Sequence, residues 1–147
     1  KVEGKYKIYS NTGRTESNIN IFDWIKEVQD LGVGEIILTS INNEGTGKGF
    51  DLNLYEKASK IGKIPLLAHG GASNYEDVYN LFVNSDVSGV IIASAFHFNY
   101  YKELLSKKEI LHQGSTNFLR DRNYKNKFYF GIKDLKNYLK SKNINTR

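Results

Sequence analysis

The sequence predicts an α/β fold with a parallel sheet, and three stretches carry that prediction. Ile64 to Ser73, IPLLAHGGAS, is an apolar run that stops at His69-Gly70-Gly71 before helix-type spacing begins at Tyr75: a strand, a glycine turn and a helix start. Gly89 to Ala95, GVIIASA, repeats the logic as an apolar strand ending in the small residues Ala93 and Ser94. Gly34 to Ser40, GEIILTS, is a further buried-strand signal ahead of both. Strands in succession, each followed by helical sequence, match the last turns of a (β/α)8 TIM barrel, in which a phosphate site commonly lies after strands seven and eight. A closed barrel of this kind needs roughly 200 to 250 residues, and the chain has 147. The expected architecture is therefore the carboxyl-terminal part of one such domain over residues 1–147, incomplete at its N-terminus, with about three parallel barrel strands after a β-hairpin. The absence of Met and the start at Lys1 fit a fragment or a trimmed product.

Lys5 to Ser10 alternates polar and apolar residues as a half-exposed strand does, and Asn11-Thr12-Gly13-Arg14 follows as a turn. Ile21, Trp24, Ile25, Val28 and Leu31 share one helix face, with Gly32 as the stop and Trp24 as a packing residue. The strand from Gly34 to Ser40 has one oddity, Glu35, a carboxylate at the base of an inward-facing strand that must be paired or solvated. Ile41 to Asp51 is polar and glycine-rich, and at the carboxyl end of a barrel strand it falls where active sites are built. Leu52 to Ile61 is helical, and Tyr75 to Ser85 is helical with Val78, Leu81 and Phe82 inward. A short helix over Tyr100 to Leu111, a polar excursion over Gln113 to Lys127 and an amphipathic helix over Ile132 to Asn143 complete the chain.

Glycine at a strand-to-helix junction lets backbone N–H groups approach a ligand closely, and such groups at a turn and helix start favour an anion, most often a phosphate. Gly70, Gly71, Ala93 and Ser94 are thus a candidate phosphate site, because two adjacent strand ends with small residues bring several N–H groups to one anion. His69, at the strand end, is placed to touch substrate, while His97 packs or hydrogen-bonds locally. Ordinary glycine turns and a flexible surface loop remain the plainer alternative for each stretch taken singly. A lone histidine without ligand-spaced partners is a poor metal site, and nothing in the residues calls for a metal or an organic cofactor.

Cysteine is absent, which excludes a disulfide framework, a thiolate metal site and a cysteine nucleophile from this sequence. The formal charge of +5 is uneven: residues 1–98 carry nine Lys/Arg against twelve Asp/Glu, and residues 99–147 carry twelve against four. The basic part has no recognisable nucleic-acid motif, and a solvated helix face accounts for it. No apolar run approaches membrane-spanning length and no signal peptide precedes the first strand. The expectation is a soluble cytoplasmic protein with neither nucleic acid nor membrane as a partner.

Gly34 to Asp51, GEIILTSINNEGTGKGFD, together with AHGGAS at Ala68 to Ser73 and ASAFHF at Ala93 to Phe98, resembles the carboxyl-terminal half of the cyclase subunit of imidazole glycerol phosphate synthase, of the HisA/HisF barrel type. The resemblance covers nearly the whole chain, from just after that family's fifth barrel strand. It implies an enzyme that takes ammonia from a glutaminase partner and cleaves and cyclises a bis-phosphorylated ribulosyl aminoimidazole carboxamide nucleotide, a step of histidine biosynthesis. Its acid and base would be two aspartates at the ends of the first and fifth strands, both outside this chain. By motif position, Thr39, Glu44 and Gly45 resemble substrate contacts, Gly70, Gly71, Ala93 and Ser94 the phosphate site, and Glu35 a charged residue of the ammonia gate. The family usually has aspartates where Asn42 and Glu44 stand and a small residue where His69 stands. The excursion from Gln113 to Lys127 is similar instead to paralogues of surface-polysaccharide gene clusters. That leaves two alternatives, the synthase half of a sugar amidotransferase and a non-catalytic phosphate-binding fragment.

Overall fold

The computed structural model describes residues 5–106 and 128–146. The excursion expected over Gln113 to Lys127 lies outside the described residues. Strands β1 (Lys7–Ser10) and β2 (Thr15–Asn20) form the antiparallel hairpin. Helix α1 (Ile21–Asp30) starts directly from β2, because the Asn20 side chain accepts a hydrogen bond from the Phe22 N–H at 2.8 Å and caps the first turn. Its apolar face buries Ile25, and the chain turns at Gly32 with φ of 87°.

Three parallel strands follow, β3 (Ile36–Thr39), β4 (Leu66–His69) and β5 (Gly89–Ile91), side by side in that order. Helices α2 (Leu52–Ile61) and α3 (Tyr75–Asn84) make the two crossovers that parallel pairing requires. The register sets Ile37 beside Leu67 and Gly89, and Thr39 beside His69 and Ile91. Strand period two then divides the side chains. Ile36, Leu38, Leu66, Ala68 and Val90 meet Leu54, Tyr55, Ala58, Val78 and Leu81 in one core under the helices. Glu35, Ile37, Thr39, Leu67, His69 and Ile91 share the other face, where Ile37 is 58% exposed. Helix α4 (Ser94–Ser106) follows β5, and α5 (Ile132–Ser141) packs on α3 through the rings of Tyr75, Tyr79, Phe130 and Tyr138. The described residues thus form a mixed α/β arrangement, a three-stranded parallel sheet with a separate hairpin.

The largest boundary differences from the sequence expectation lie around the last strand. The last strand ends at Ile91 rather than Ala95, and the helix after it begins at Ser94 rather than Tyr100. The cause lies in the neighbouring strand: β4 ends at His69, where Gly70 turns away with φ of 103°, so β5 has no ladder partner beyond Ile91. Apolar composition alone cannot register that loss. Ala93-Ser94-Ala95 are small enough to enter a helix once pairing ends.

The start of α3 is held by its own side chains. Asn74 accepts from the Asp77 N–H at 2.9 Å, and Asp77 Oδ2 accepts from the Ser73 N–H, the Ser73 hydroxyl and the Asn74 N–H at 2.8, 2.7 and 3.2 Å. Asp77→Ala is expected to cost about 1 to 2 kcal/mol, the range for losing a helix cap. Denaturant unfolding checks it; a change within about 0.3 kcal/mol, the size of a neutral surface substitution, would show that the reciprocal cap contributes little.

Candidate functional site

The carboxyl ends of the three parallel strands share one recess. Glu44 and Gly45 wall it from the loop after β3, His69, Gly70 and Gly71 from the turn after β4, and Ala93 and Ser94 from the approach to α4. Phe128 closes a further side, and a Cβ placed on Gly47 would lie 1.8 Å from its ring, so the ring abuts the glycine loop. With this ring in place the recess encloses about 20 Å³, roughly the space of one water.

The loop from Ile41 to Asp51 is stitched rather than free. The Ser40 carbonyl accepts from the Asn43 and Glu44 N–H groups at 3.0 and 2.9 Å, and Asn43 Nδ2 donates to the Gly49 carbonyl at 2.8 Å. The Gly49 N–H donates to the Gly71 carbonyl at 2.8 Å, which ties the loop to the glycine turn. Only glycine fits there. Gly71 has φ of 109°, and a Cβ on it would lie 2.1 Å from the Gly49 carbonyl oxygen.

Two helix starts approach this region, and their charge differs. The first turn of α3 carries Glu76 and Asp77, and Asp77 already occupies N–H groups there. The first turn of α4 carries no acidic residue and opens with Ser94 and Ala95. Carboxylates thus already occupy the start of α3, whereas the first turn of α4 carries none.

His69 is the polar centre of the recess. Its Nδ1 lies 3.0 Å from Thr39 Oγ1 and its Nε2 lies 3.3 Å from Glu44 Oε2. Tyr55 of α2, fully buried, fixes the backbone beneath: its hydroxyl lies 2.6 Å from the His69 carbonyl and 3.2 Å from that of Leu38. Burial is the main cause that pushes the Tyr55 phenol up, with nearby backbone bonds opposing it, so it serves as a neutral donor.

Of the residues singled out in the sequence, Glu44, Gly45, His69, Gly70, Gly71, Ala93 and Ser94 come together at the recess, and Thr39 joins them through the ring. Glu35 does not. It precedes the amino end of β3 on the same face as Thr39, about 13 Å away along the strand. There it is exposed and lines a cavity of about 420 Å³ beside the unpaired edge of β3, with Trp24, Val28, Val33 and Ile37. Trp24, expected as a packing residue, is half-buried on that wall. Tyr55, Asn43, Gly49 and Phe128 are contributors that sequence reasoning missed. Tyr55 carries a signal, since Leu54, Tyr55 and Ala58 have inward helical spacing, but a phenol among them reads as core.

A βαβαβ sheet with a polar, glycine-lined recess at the carboxyl ends of its strands defines an α/β protein whose working loops lie at one end of the sheet. The profile of the histidine biosynthesis protein family matches residues 1–102, and the chain belongs to that family. Curated relatives agree. The imidazole glycerol phosphate synthase subunit HisF of Natranaerobius thermophilus is 40% identical over 110 residues, 75% of this chain and 42% of that protein. The same subunit of Prochlorococcus marinus is 40% identical over 94 residues (64% and 37%), and that of Chlorobaculum tepidum 34% identical over 116 residues (79% and 46%). The chain spans less than half the length of these relatives. Among the described residues, no helix is long and apolar enough to cross a membrane.

Proposed function

We propose that this chain is the carboxyl-terminal part of a single cytoplasmic (β/α)8 barrel, the cyclase subunit of an imidazole glycerol phosphate synthase. It uses ammonia from a glutaminase partner to convert the bis-phosphorylated ribulosyl aminoimidazole carboxamide nucleotide to imidazole glycerol phosphate. The observation that carries this reading is the convergence of Gly70, Gly71, Ala93 and Ser94 on one recess at the ends of adjacent parallel strands, beside a helix start free of acidic side chains. Those residues bind one phosphate of the substrate through backbone N–H groups. Thr39, Glu44, Gly45 and His69 contact the rest of it. The acid and base are contributed by the amino-terminal part of the barrel, which also closes the open face on which Ile37 is exposed.

Turnover of the bis-phosphorylated nucleotide with ammonium salt tests the assignment. The chain alone is expected to show none, and addition of the amino-terminal half in trans is expected to restore it. Turnover by the chain alone, or none after complementation with a folded half, overturns it.

Glu35 is the gate for ammonia, at the end of β3 opposite the recess. In the complemented protein, Glu35→Gln should lower glutamine-driven turnover about tenfold, about 1.4 kcal/mol in the barrier. Turnover with added ammonium salt should stay near its starting value. Equal losses with both nitrogen sources would exclude the gate.

A further inference from the structure

Most residues around the recess are glycine, alanine or serine, and Phe128 brings the one phenyl ring among the described lining residues, from beyond α4. Burial alternates along its segment: Phe128 is half-buried, Tyr129 exposed and Phe130 buried. Phe130 is wedged edge-on between Tyr75 of α3 and Phe96 of α4, with ring centroids at 5.1 and 5.4 Å. On the outer side, Lys102 Nζ donates to the Tyr129 hydroxyl at 2.6 Å. These contacts hold the segment in place, and the Phe128 ring extends from it onto the glycine loop. Its seat is Gly47, where a Cβ would meet ring atoms at 1.8 to 2.4 Å. A residue without a side chain lets the ring close down there.

A phosphate group is larger than the single water for which the recess has room while the ring is in place. The glycine turn and the start of α4 are carried by paired strands, whereas the half-buried ring turns about its own side-chain bonds without disturbing Phe130. The ring is therefore the part that gives way. We propose that Phe128 is a steric gate on this recess: seated on Gly47, its ring occupies the space of a phosphate group, and the anion binds once the ring has swung out. The proposal rests on the phosphate reading of the recess. No bond is made or broken, and the gate is an equilibrium between two ring positions. A ring seated in about nine of ten molecules lowers the apparent affinity about tenfold. The same factor applies to every anion, so a weakly held free phosphate leaves the recess empty while a phosphorylated ligand with further contacts still fills it.

Inorganic phosphate is the probe, titrated by calorimetry into the 147-residue chain at one pH and one salt concentration. Phe128→Ala is expected to bind it about tenfold more tightly than the wild type, with Phe128→Leu between the two. The leucine variant carries the same comparison if the alanine variant does not fold. Equal or weaker binding by a variant whose circular dichroism matches the wild type overturns the gate and leaves the phosphate reading standing. The proton NMR shift of the Gly47 α-hydrogens is an independent readout, because an aromatic ring lying against them displaces their resonance. It should differ between the free wild type and the ring-less variant, and saturating phosphate should move the wild-type signal towards the variant's position. A displaced signal that persists at saturation means that ring and anion share the recess, which also overturns the gate. Absence of phosphate binding by both the folded wild type and the folded variants overturns the phosphate reading, and the gate with it.

Discussion

Gly71→Ala is expected to destabilise the fold by roughly 3 kcal/mol or more, a large share of the 5 to 15 kcal/mol that holds a typical domain together. Two terms add. The φ of 109° is strained for any residue with a Cβ, which costs on the order of 1 to 3 kcal/mol. The added methyl would also lie 2.1 Å from the Gly49 carbonyl oxygen, so the loop must move and the Gly49 N–H to Gly71 carbonyl bond is lost or bent. Gly32→Ala separates these terms, because Gly32 has a similar φ of 87° but open space where the methyl would go. Denaturant unfolding of both variants checks the argument. Equal losses would mean that the close approach of the two glycine segments contributes nothing, and the stitched loop would not be the feature that shapes the recess.

Tyr55→Ala is expected to cost about 4 kcal/mol, and Tyr55→Phe only about 1 to 2 kcal/mol. The large value comes from the cavity left by a fully buried ring that also meets Phe50 edge-on at 5.9 Å. The smaller value isolates the hydroxyl. Its loss does not orphan the His69 carbonyl, which still accepts from the Ser40 N–H at 3.0 Å, so the full penalty for an unsatisfied buried group does not arise. Tyr55→Phe should nevertheless loosen the backbone at His69 and Leu38, where β3 and β4 end. Amide hydrogen exchange at Ser40 is the readout, since its N–H is bonded to the same carbonyl. Exchange that is unaltered in Tyr55→Phe would show that the phenol fills space without bracing the strand ends.

The order and type of the elements were legible in the sequence because they depend on local terms. Alternation marks Lys5 to Ser10, helical spacing marks Ile21 to Leu31, and the apolar runs before Ser40 and His69 mark parallel strands buried by crossover helices. The glycine turn at Gly70-Gly71 was legible for the same reason, since only glycine adopts its backbone conformation cheaply. The family could be read from motif order alone, and the profile match over residues 1–102 agrees with it. Glu35 and Thr39 could be assigned to opposite ends of one strand face from period two.

What only the tertiary structure decided is which of these pieces meet. Thr39 and His69 are thirty residues apart, and they touch because α2 packs so as to bring β3 and β4 into that parallel register. No short turn dictates it, as one would in a hairpin. The end of β5 at Ile91 was set by where its neighbour turned away, and with it the start of α4 at Ser94. The tie between Gly49 and Gly71, the brace from Tyr55 and the wall made by Phe128 likewise join residues whose spacing in the chain carries no signal. Local sequence terms act over a few residues, whereas the recess is assembled by packing between segments, and that packing exists only once the helices have covered the sheet.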